Sequence, residues 1–175
     1  EKENLEIIAG RHNIFTVNTP QGSLLLKKPT GSTITDLQCV VRKTGRCETL
    51  NIQKADRSER YICGKYDVEI LTMPRIFMKA VEINQSQTTT LQIAQPGMLV
   101  LLKNAPGYGG VFVKRTNEWE LVTNLDITNS GTESFTLQPG TYMVTYRPKN
   151  AKNVLYSVEK RVIIKSGGAE HIQLN

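Results

Sequence analysis

The sequence predicts an all-β protein made of two tandem β-sandwiches whose strands are mostly antiparallel. Short apolar and β-branched segments alternate with turn residues at intervals of about eight to twelve positions. No segment keeps a 3.6-residue apolar period for long enough to indicate a helix. The strand pattern of the first half also returns in the second half, at an offset of about 75 residues. We therefore expect two similar units of six or seven strands each.

A strand–turn–strand pattern occurs three times and divides the chain, at residues 5–17, 81–93 and 162–174. Each copy has branched or apolar residues on both sides of a polar or glycine-containing turn, which predicts a β-hairpin. The copies define the predicted domains, listed here in order: a linking hairpin at 1–17, a first sandwich at 18–94 and a second at 95–175.

The first copy gives the fold an extra N-terminal strand or hairpin, which has two interpretations. Each hairpin could be shared, with one arm finishing one sandwich and the other opening the next. Alternatively, residues 1–17 are the tail of a preceding domain that lies outside this sequence. Both interpretations join the units with little linker and predict a stiff rod.

The two predicted units match element by element. Each begins with a proline–glycine turn, at 19–22 or 95–97, that leads into a buried strand. The later pairs are loops 29–33 and 104–109, strands 37–43 and 110–114, strands 47–52 and 119–125, and glycine turns that lead into strands at Tyr66 and Tyr142. Cys47 and Trp119 share one position in this pattern, so we expect both in the cores, which would then be packed differently.

The three cysteines are expected to be free, partly buried thiols. A turn at residues 44–45 would place Cys47 opposite Arg42 and away from Cys39, so the natural register does not favour a bridge between Cys39 and Cys47. Cys63 is the third, and an odd count without a C-x-x-C spacing argues against a zinc site or a redox pair.

The charge distribution argues against a nucleic-acid partner. The net charge of +6 divides evenly, with +3 on residues 1–94 and +3 on residues 95–175, so no basic face is concentrated in one unit. No apolar run has the roughly 18 to 20 residues that a membrane span needs. Residues 1–4 carry no secretion signal, which we expect to be removed or to lie outside this sequence.

The residues with catalytic or metal-binding chemistry are scattered. His12 and His171 are the only histidines, and neither has a second ligand at metal-binding spacing, so we expect no metal and no cofactor. Sequence patterns of nucleophile elbows, zinc proteases and phosphate-binding loops are absent, so we predict no enzyme. Period-2 placement predicts that the strand carboxylates face solvent: Glu48, Asp67, Glu69, Glu120 and Asp126.

The glycine-rich segment around Tyr108 is the candidate ligand site. Gly107, Tyr108 and Gly109 precede a strand and not a helix, so they cannot offer helix N-terminal amides to a phosphate. They are interpreted as a turn with a packed or exposed tyrosine, or as a recognition loop on a rigid sandwich. A sugar-binding module would display Tyr108 or Tyr156 beside polar groups.

Two groups of sequence segments resemble known families. The residues Leu-Gln-Pro-Gly-Thr-Tyr-Met-Val at 137–144, followed by the pattern at 162–174, resemble PEGA and carboxypeptidase-regulatory modules of bacterial envelope proteins, which have Ig-like or prealbumin-like sandwiches. Residues 66–76, 87–97 and 107–109 resemble the C-terminal region of secreted von Willebrand factor A domain proteins of Bacteroidetes-type bacteria. The resemblance implies an extracytoplasmic location in the cell envelope or outside the cell, and an additional N-terminal A domain. The D-x-S-x-S adhesion motif of such a domain is absent from this chain.

These observations predict a non-catalytic extracytoplasmic spacer or protein-interaction module. Its expected partners are other proteins or cell-surface components. The alternative is a module that binds a carbohydrate or another surface ligand through loops 29–33 and 104–110. An exposed aromatic cluster beside polar groups would favour the second function.

Overall fold

The computed structural model of the chain describes residues 6–14, 18–32, 34–151 and 157–174, which contain fourteen β-strands and no helix. The first seven strands are β1 (Gln21–Lys27), β2 (Gln38–Lys43), β3 (Thr49–Lys54), β4 (Ser58–Ile62), β5 (Gly64–Ile70), β6 (Ile76–Ile83) and β7 (Thr88–Gln92). The next seven are β8 (Gly97–Lys103), β9 (Gly107–Arg115), β10 (Glu118–Asn124), β11 (Thr132–Leu137), β12 (Gly140–Pro148), β13 (Val158–Ile164) and β14 (Ala169–Leu174).

The strands form four sheets, which make two units of identical topology. The first unit combines a four-stranded sheet of order β3-β2-β5-β6 with a three-stranded sheet of order β4-β1-β7. The second combines β10-β9-β12-β13 with β11-β8-β14. Each strand of the second unit occupies the place of the strand seven earlier in the chain. The predicted internal repeat and the tandem β-sandwiches are confirmed.

Each unit has its own apolar core, formed by alternate residues of its two sheets. In the first unit the alternation of β1 buries Leu24 and Leu26 completely, and in the second unit β8 does the same with Leu99 and Leu101. Burying such a side chain contributes about 1.5–3 kcal/mol. The other large core residues include Leu37, Val41, Tyr66, Ile70 and Ile83 in the first unit, and Leu137, Tyr142, Val144, Tyr146, Ile164 and Leu174 in the second.

The two strand-entry tyrosines are core residues with the same hydrogen bond. The hydroxyl of Tyr66 donates to the carbonyl oxygen of Ile62 at 2.6 Å, and that of Tyr142 donates to the carbonyl oxygen of Gln138 at 2.5 Å. In both cases the acceptor lies four residues upstream, so the ring ties the strand to the turn that precedes it. Burial raises the pKa of Tyr142 to about 12.

The segments at 81–93 and 162–174 are not hairpins, and that prediction is wrong. In the first unit β6 pairs with β5, whereas β7 crosses to the other sheet and pairs in parallel with β1. In the second unit β13 pairs with β12, and β14 pairs in parallel with β8. Each turn therefore bridges the two sheets, and we call residues 81–93 and 162–174 the closing arches. An arch places apolar residues from both arms in the core: Ile83 and Leu91 in the first unit, Ile164 and Leu174 in the second.

The arches also bear on the two interpretations of the repeated pattern. Both arms of each closing arch belong to one unit, so the arch at 81–93 is not shared with the second unit. In the N-terminal copy, residues 6–14 contain a turn and no strand. Residue 5 and residues 15–17 lie outside the described residues, so the linking hairpin and the domain limits 1–17, 18–94 and 95–175 stay predictions.

The two units contact each other through the segment between β5 and β6. The amide of Gln138 donates to the carbonyl oxygen of Met73 at 2.8 Å, and a guanidinium nitrogen of Arg115 donates to the carbonyl oxygen of Arg75 at 3.3 Å. This segment contains the cis peptide bond between Met73 and Pro74. Within the described residues, no helix has the length and apolar character to cross a membrane.

Candidate interaction surface

The outer face of the first four-stranded sheet carries exposed apolar side chains. A cross-strand row runs from Ile52 in β3 to Val40 in β2, then to Glu69 in β5 and Phe77 in β6. Ile52 and Phe77 are mostly exposed, and so is Leu50 on β3. The strand pattern explains the placement, since residues two apart share a face of a sheet and the opposite set fills the core.

Glu69 lies in the middle of this row and is buried, so its predicted solvent-facing position is wrong. Its Oε2 accepts a hydrogen bond from Arg42 at 2.7 Å, and its Oε1 accepts one from Arg75 at 2.5 Å. These two bonds, that of Arg42 first, hold the pKa of Glu69 below its usual range. The carboxylate is on the outer face, but the two guanidinium groups and the neighbouring side chains exclude solvent from it. The result is a fixed polar centre in an otherwise apolar row.

The outer face of the second four-stranded sheet repeats the arrangement. Phe112 in β9 lies opposite Leu121 in β10 and Met143 in β12, and Leu121 is half exposed. Trp119 lies on the same face as Phe112, where the guanidinium carbon of Arg161 is 5.9 Å from its ring centroid. The cation–π contact shields one side of the indole.

Neither Cys47 nor Trp119 belongs to a core, contrary to the prediction. Cys47 is exposed and precedes β3, because Arg42 pairs with Thr49 and not with Cys47, so the connection between β2 and β3 is two residues longer than the predicted turn. Trp119 is half-buried outside the core of the second unit. The cysteines are free as predicted, with Cys39 buried and Cys63 of intermediate exposure. Burial raises the pKa of Cys39 to about 11.

The two outer faces meet at the junction between the units. A cleft of about 310 Å³ there is lined by Phe77 of the first unit and Leu121 of the second, together with residues 72–75 and Glu120. We define the apolar band as Leu50, Ile52, Phe77, Leu121 and Phe112. An exposed apolar surface that crosses two units is typical of a site for binding another protein.

Basic side chains border the first-unit part of the band. A depression of about 430 Å³ beside Phe77 is lined by Arg42, Arg46, Cys47 and Lys79, among others. Arg42 is already bound to Glu69, and the Asp67 carboxylate also lines the depression near Lys79, so Arg46 and Lys79 leave an excess of one positive charge at the rim. A complementary surface would combine apolar side chains with carboxylates.

The predicted ligand segment at Gly107, Tyr108 and Gly109 is part of strand β9, so its interpretation as a loop is wrong. These three residues pair with β12, where Tyr108 lies opposite Arg147. A Cβ atom at Gly107 would collide with the ring of Tyr146, which explains a glycine in this strand. Tyr108 is partly exposed, and the guanidinium carbon of Arg147 is 5.9 Å from its ring centroid.

The second predicted loop, at residues 29–33, forms a turn. The amide of Ser32 donates to the carbonyl oxygen of Pro29 at 3.1 Å, and Thr33 lies outside the described residues. Tyr156, the other aromatic considered for sugar binding, also lies outside them.

The remaining candidate residues form no site. His12 and His171 are exposed, the latter on the outer face of β14. Glu48, Glu120 and Asp126 are exposed as predicted. In the described ranges, no group of three or more His, Cys, Asp or Glu side chains could hold a metal ion.

A buried ion pair in the second unit was not predicted. The ammonium group of Lys103, at the end of β8, donates to Glu133 at 2.6 Å and to the carbonyl oxygen of Asp126 at 2.9 Å. The side chain of Lys103 is 0% exposed and that of Glu133 is 14% exposed. The sequence contains a signal, because Lys103 continues the alternation of Leu99 and Leu101, which places it on the core side.

Comparison with known proteins identifies no family. No family model and no curated protein matches the chain. Among solved structures, the minor pilin GBS52 of Streptococcus agalactiae is 11% identical, with a TM-score of 0.43 and coverage of 89% of this chain and 94% of that one. The Bacillus anthracis TIE protein is 14% identical, with a TM-score of 0.36 and coverage of 89% and 34%. A streptococcal ancillary pilin is 10% identical, with a TM-score of 0.40 and coverage of 90% and 62%.

The chain thus spans about a third of the TIE protein and nearly all of GBS52. At these identities and TM-scores the similarities assign neither a family nor an activity. The assignment of the fold rests on the strand pairing described above. The resemblance to von Willebrand factor A-associated regions and PEGA modules stays a prediction, since no family model matches.

Proposed function

We propose that this chain is a non-catalytic module that acts outside the cytoplasm, where it holds attached domains at a fixed spacing and binds another protein through the apolar band. The observation that carries the proposal is the band itself, because Phe77 and Leu121 expose apolar surface from two different units into one cleft. A surface that crosses a junction is available to a partner only when the two units keep a constant orientation.

The contacts at the junction support the spacer role. The hydrogen bonds from Gln138 to Met73 and from Arg115 to Arg75 join the units directly, next to a short connection between β7 and β8. Small-angle scattering tests this role. We expect a monomer with one elongated shape, whereas a broad distribution of shapes would show that the units move independently and would contradict the spacer role.

Site-specific photocrosslinking tests the binding role. A photoreactive phenylalanine analogue replaces Phe77 or Leu121 in the protein as it occurs in its own cells. The matched control replaces Met98, which has a similar exposure to Leu121 but lies on the outer face of a three-stranded sheet. We expect one discrete protein adduct at both band positions and none at Met98. No adduct at the band, or the same adducts at all three positions, would contradict the proposal.

A second candidate function rests on Tyr108. Its ring is partly exposed beside Arg147, which is the combination of an aromatic face and a polar group that a sugar or another surface ligand can use. The test compares glycan binding by the unaltered chain and by Tyr108→Ala. Binding that this substitution abolishes would favour the ligand-binding role, while binding that Tyr108→Ala leaves unchanged would reject this site.

A further inference from the structure

The N-terminal residues 6–14 contain the same turn as the two closing arches. In the arches, the amide of Gln87 donates to the carbonyl oxygen of Asn84 at 3.2 Å, and that of Gly168 donates to Lys165 at 3.0 Å. At the matching position of the N-terminal copy, the amide of Arg11 donates to the carbonyl oxygen of Ile8 at 3.4 Å. The three turns thus join the same two positions of the repeated pattern.

The backbone conformation of the turn also agrees in all three copies. Gly10, Ser86 and Gly167 occupy the same position and have positive φ angles of 74°, 59° and 66°. Ser86 is notable because a residue with a Cβ atom rarely adopts this conformation. The shared angle therefore marks a specific turn and is not a simple consequence of glycine content.

The N-terminal copy differs from the arches in what its apolar residues contact. Ile83 and Ile164, two residues before the turn's central pair, are each 1% exposed in the core of their unit. Ile7 occupies the same position and is 74% exposed. Ile7 thus has the same place in the repeated pattern, beside the same turn, as two core residues. Among the described residues, no core covers it.

The spacing to the next unit indicates where that core belongs. Gly22, the second residue of β1, follows Ile7 by 15 residues, and Gly97, the first residue of β8, follows Ile83 by 14 residues. The N-terminal turn therefore stands before the first unit as the arch at 81–93 stands before the second. An arch at that place closes the unit that precedes it in the same polypeptide.

We propose that residues 6–14 belong to the closing arch of a further β-sandwich, which precedes the first unit in the same polypeptide and buries Ile7 in its core. That sandwich has the topology of the two described here, and the arch bridges its two sheets. The inference is independent of the proposed function, because it concerns the number of modules in the array and not what the apolar band binds.

Hydrogen exchange tests the proposal by comparing residues 1–175 with the full-length protein. We expect the amides of Ile7 and Ile8 to exchange about 100-fold more slowly, or slower still, in the full-length protein, because they are then part of a folded unit. The amide of Gly168, in an intact arch, serves as the control that is protected in both. Equal exchange of Ile7 and Ile8 in the two chains would overturn the proposal. If the amides of Ile7 and Ile8 become protected in residues 1–175 as the protein concentration rises, a second copy of the chain covers the arch. That result would also overturn the proposal.

Serine substitutions give a second, independent readout. Ile7→Ser should leave the unfolding midpoint of residues 1–175 unchanged and lower that of the full-length protein. Ile83→Ser should lower it in both chains. Ile14→Ser is the matched control, since Ile14 aligns with the outward-facing Thr90 and His171, and it should be neutral in both. If Ile7→Ser leaves the unfolding midpoint of the full-length protein unchanged, Ile7 is not buried and the proposal is contradicted.

Discussion

The buried ion pair of the second unit gives the sharpest stability prediction. Replacing Glu133 by Leu removes the carboxylate from the ammonium group of Lys103, which is 0% exposed and keeps its hydrogen bond to the carbonyl oxygen of Asp126. Loss of one partner from a buried pair costs about 3–5 kcal/mol. Replacing Lys103 by Met leaves Glu133, which is 14% exposed and still accepts from the amide of Asp126 at 3.0 Å. Because Glu133 stays partly hydrated, Lys103→Met should lower the free energy of unfolding by about 3 kcal/mol, the lower end of the range for a buried pair.

The double variant Lys103→Met, Glu133→Leu removes both charges at once. Its cost should therefore be smaller than the sum of the single costs, with a coupling energy of about 3 kcal/mol, the upper end of the range for residues in contact. Urea unfolding followed by tryptophan fluorescence is the assay, because the one tryptophan of the chain, Trp119, lies in the second unit. The control cycle uses Lys65 and Glu82 of the first unit, which form an exposed pair at 3.1 Å. It is followed by far-UV circular dichroism, because Trp119 does not report on that unit, and should give about 0.2–1 kcal/mol. Single variants that each cost less than about 1 kcal/mol would refute the reasoning.

Three further predictions follow from the pKa shifts and the buried hydroxyl. The pKa of Glu69 is lowered in the fold, above all by the bond from Arg42, so its contribution to stability is present above its ordinary pKa of 4.5 and is lost as the pH falls through the lower folded value. Urea unfolding at a series of acidic pH values should show this loss, and Glu69→Gln should weaken it; an unchanged profile would contradict it. Tyr142→Phe should cost about 1 kcal/mol in urea unfolding through its lost hydrogen bond, and no change would argue that the bond is not formed. In native protein at pH 8, Cys47 should react with a thiol reagent, whereas Cys39 should react only in urea; early reaction of Cys39 would contradict its burial.

The architecture could be predicted because its main signals are local. Alternation in β1 and β8 identifies Leu24, Leu26, Leu99 and Leu101 as core residues, and the matching turns reveal the repeat. Local signals do not predict which of the two sheets each strand joins. The segment at 81–93 has the alternation and the turn of a hairpin, but an arch has both as well. The choice between them depends on whether β7 hydrogen-bonds to β6 or to the distant β1, which no local pattern specifies.

The surface was harder to predict because it depends on side chains from several strands. Period 2 places Glu69 on the outer face, but its burial requires Arg42 from β2 and Arg75 from the segment before β6. A two-residue turn predicts Cys47 in the strand, but Cys47 and Glu48 lie in a longer connection before β3, and no local pattern specifies its length. The apolar band was missed for the same reason, since Phe77 and Leu121 come together only after both units fold.

The parallel pairing of the first and last strands within each unit has a mechanical consequence. Because β1 and β7 run in the same direction, tension applied at the start of β1 and the end of β7 slides the two strands past each other along their length. The hydrogen bonds of the five aligned residue pairs in the first unit, and of the six in the second, then bear the load together instead of opening one after another. A chain of such modules would resist being pulled open from its ends, and its weakest element under force would be the shorter ladder of the first unit.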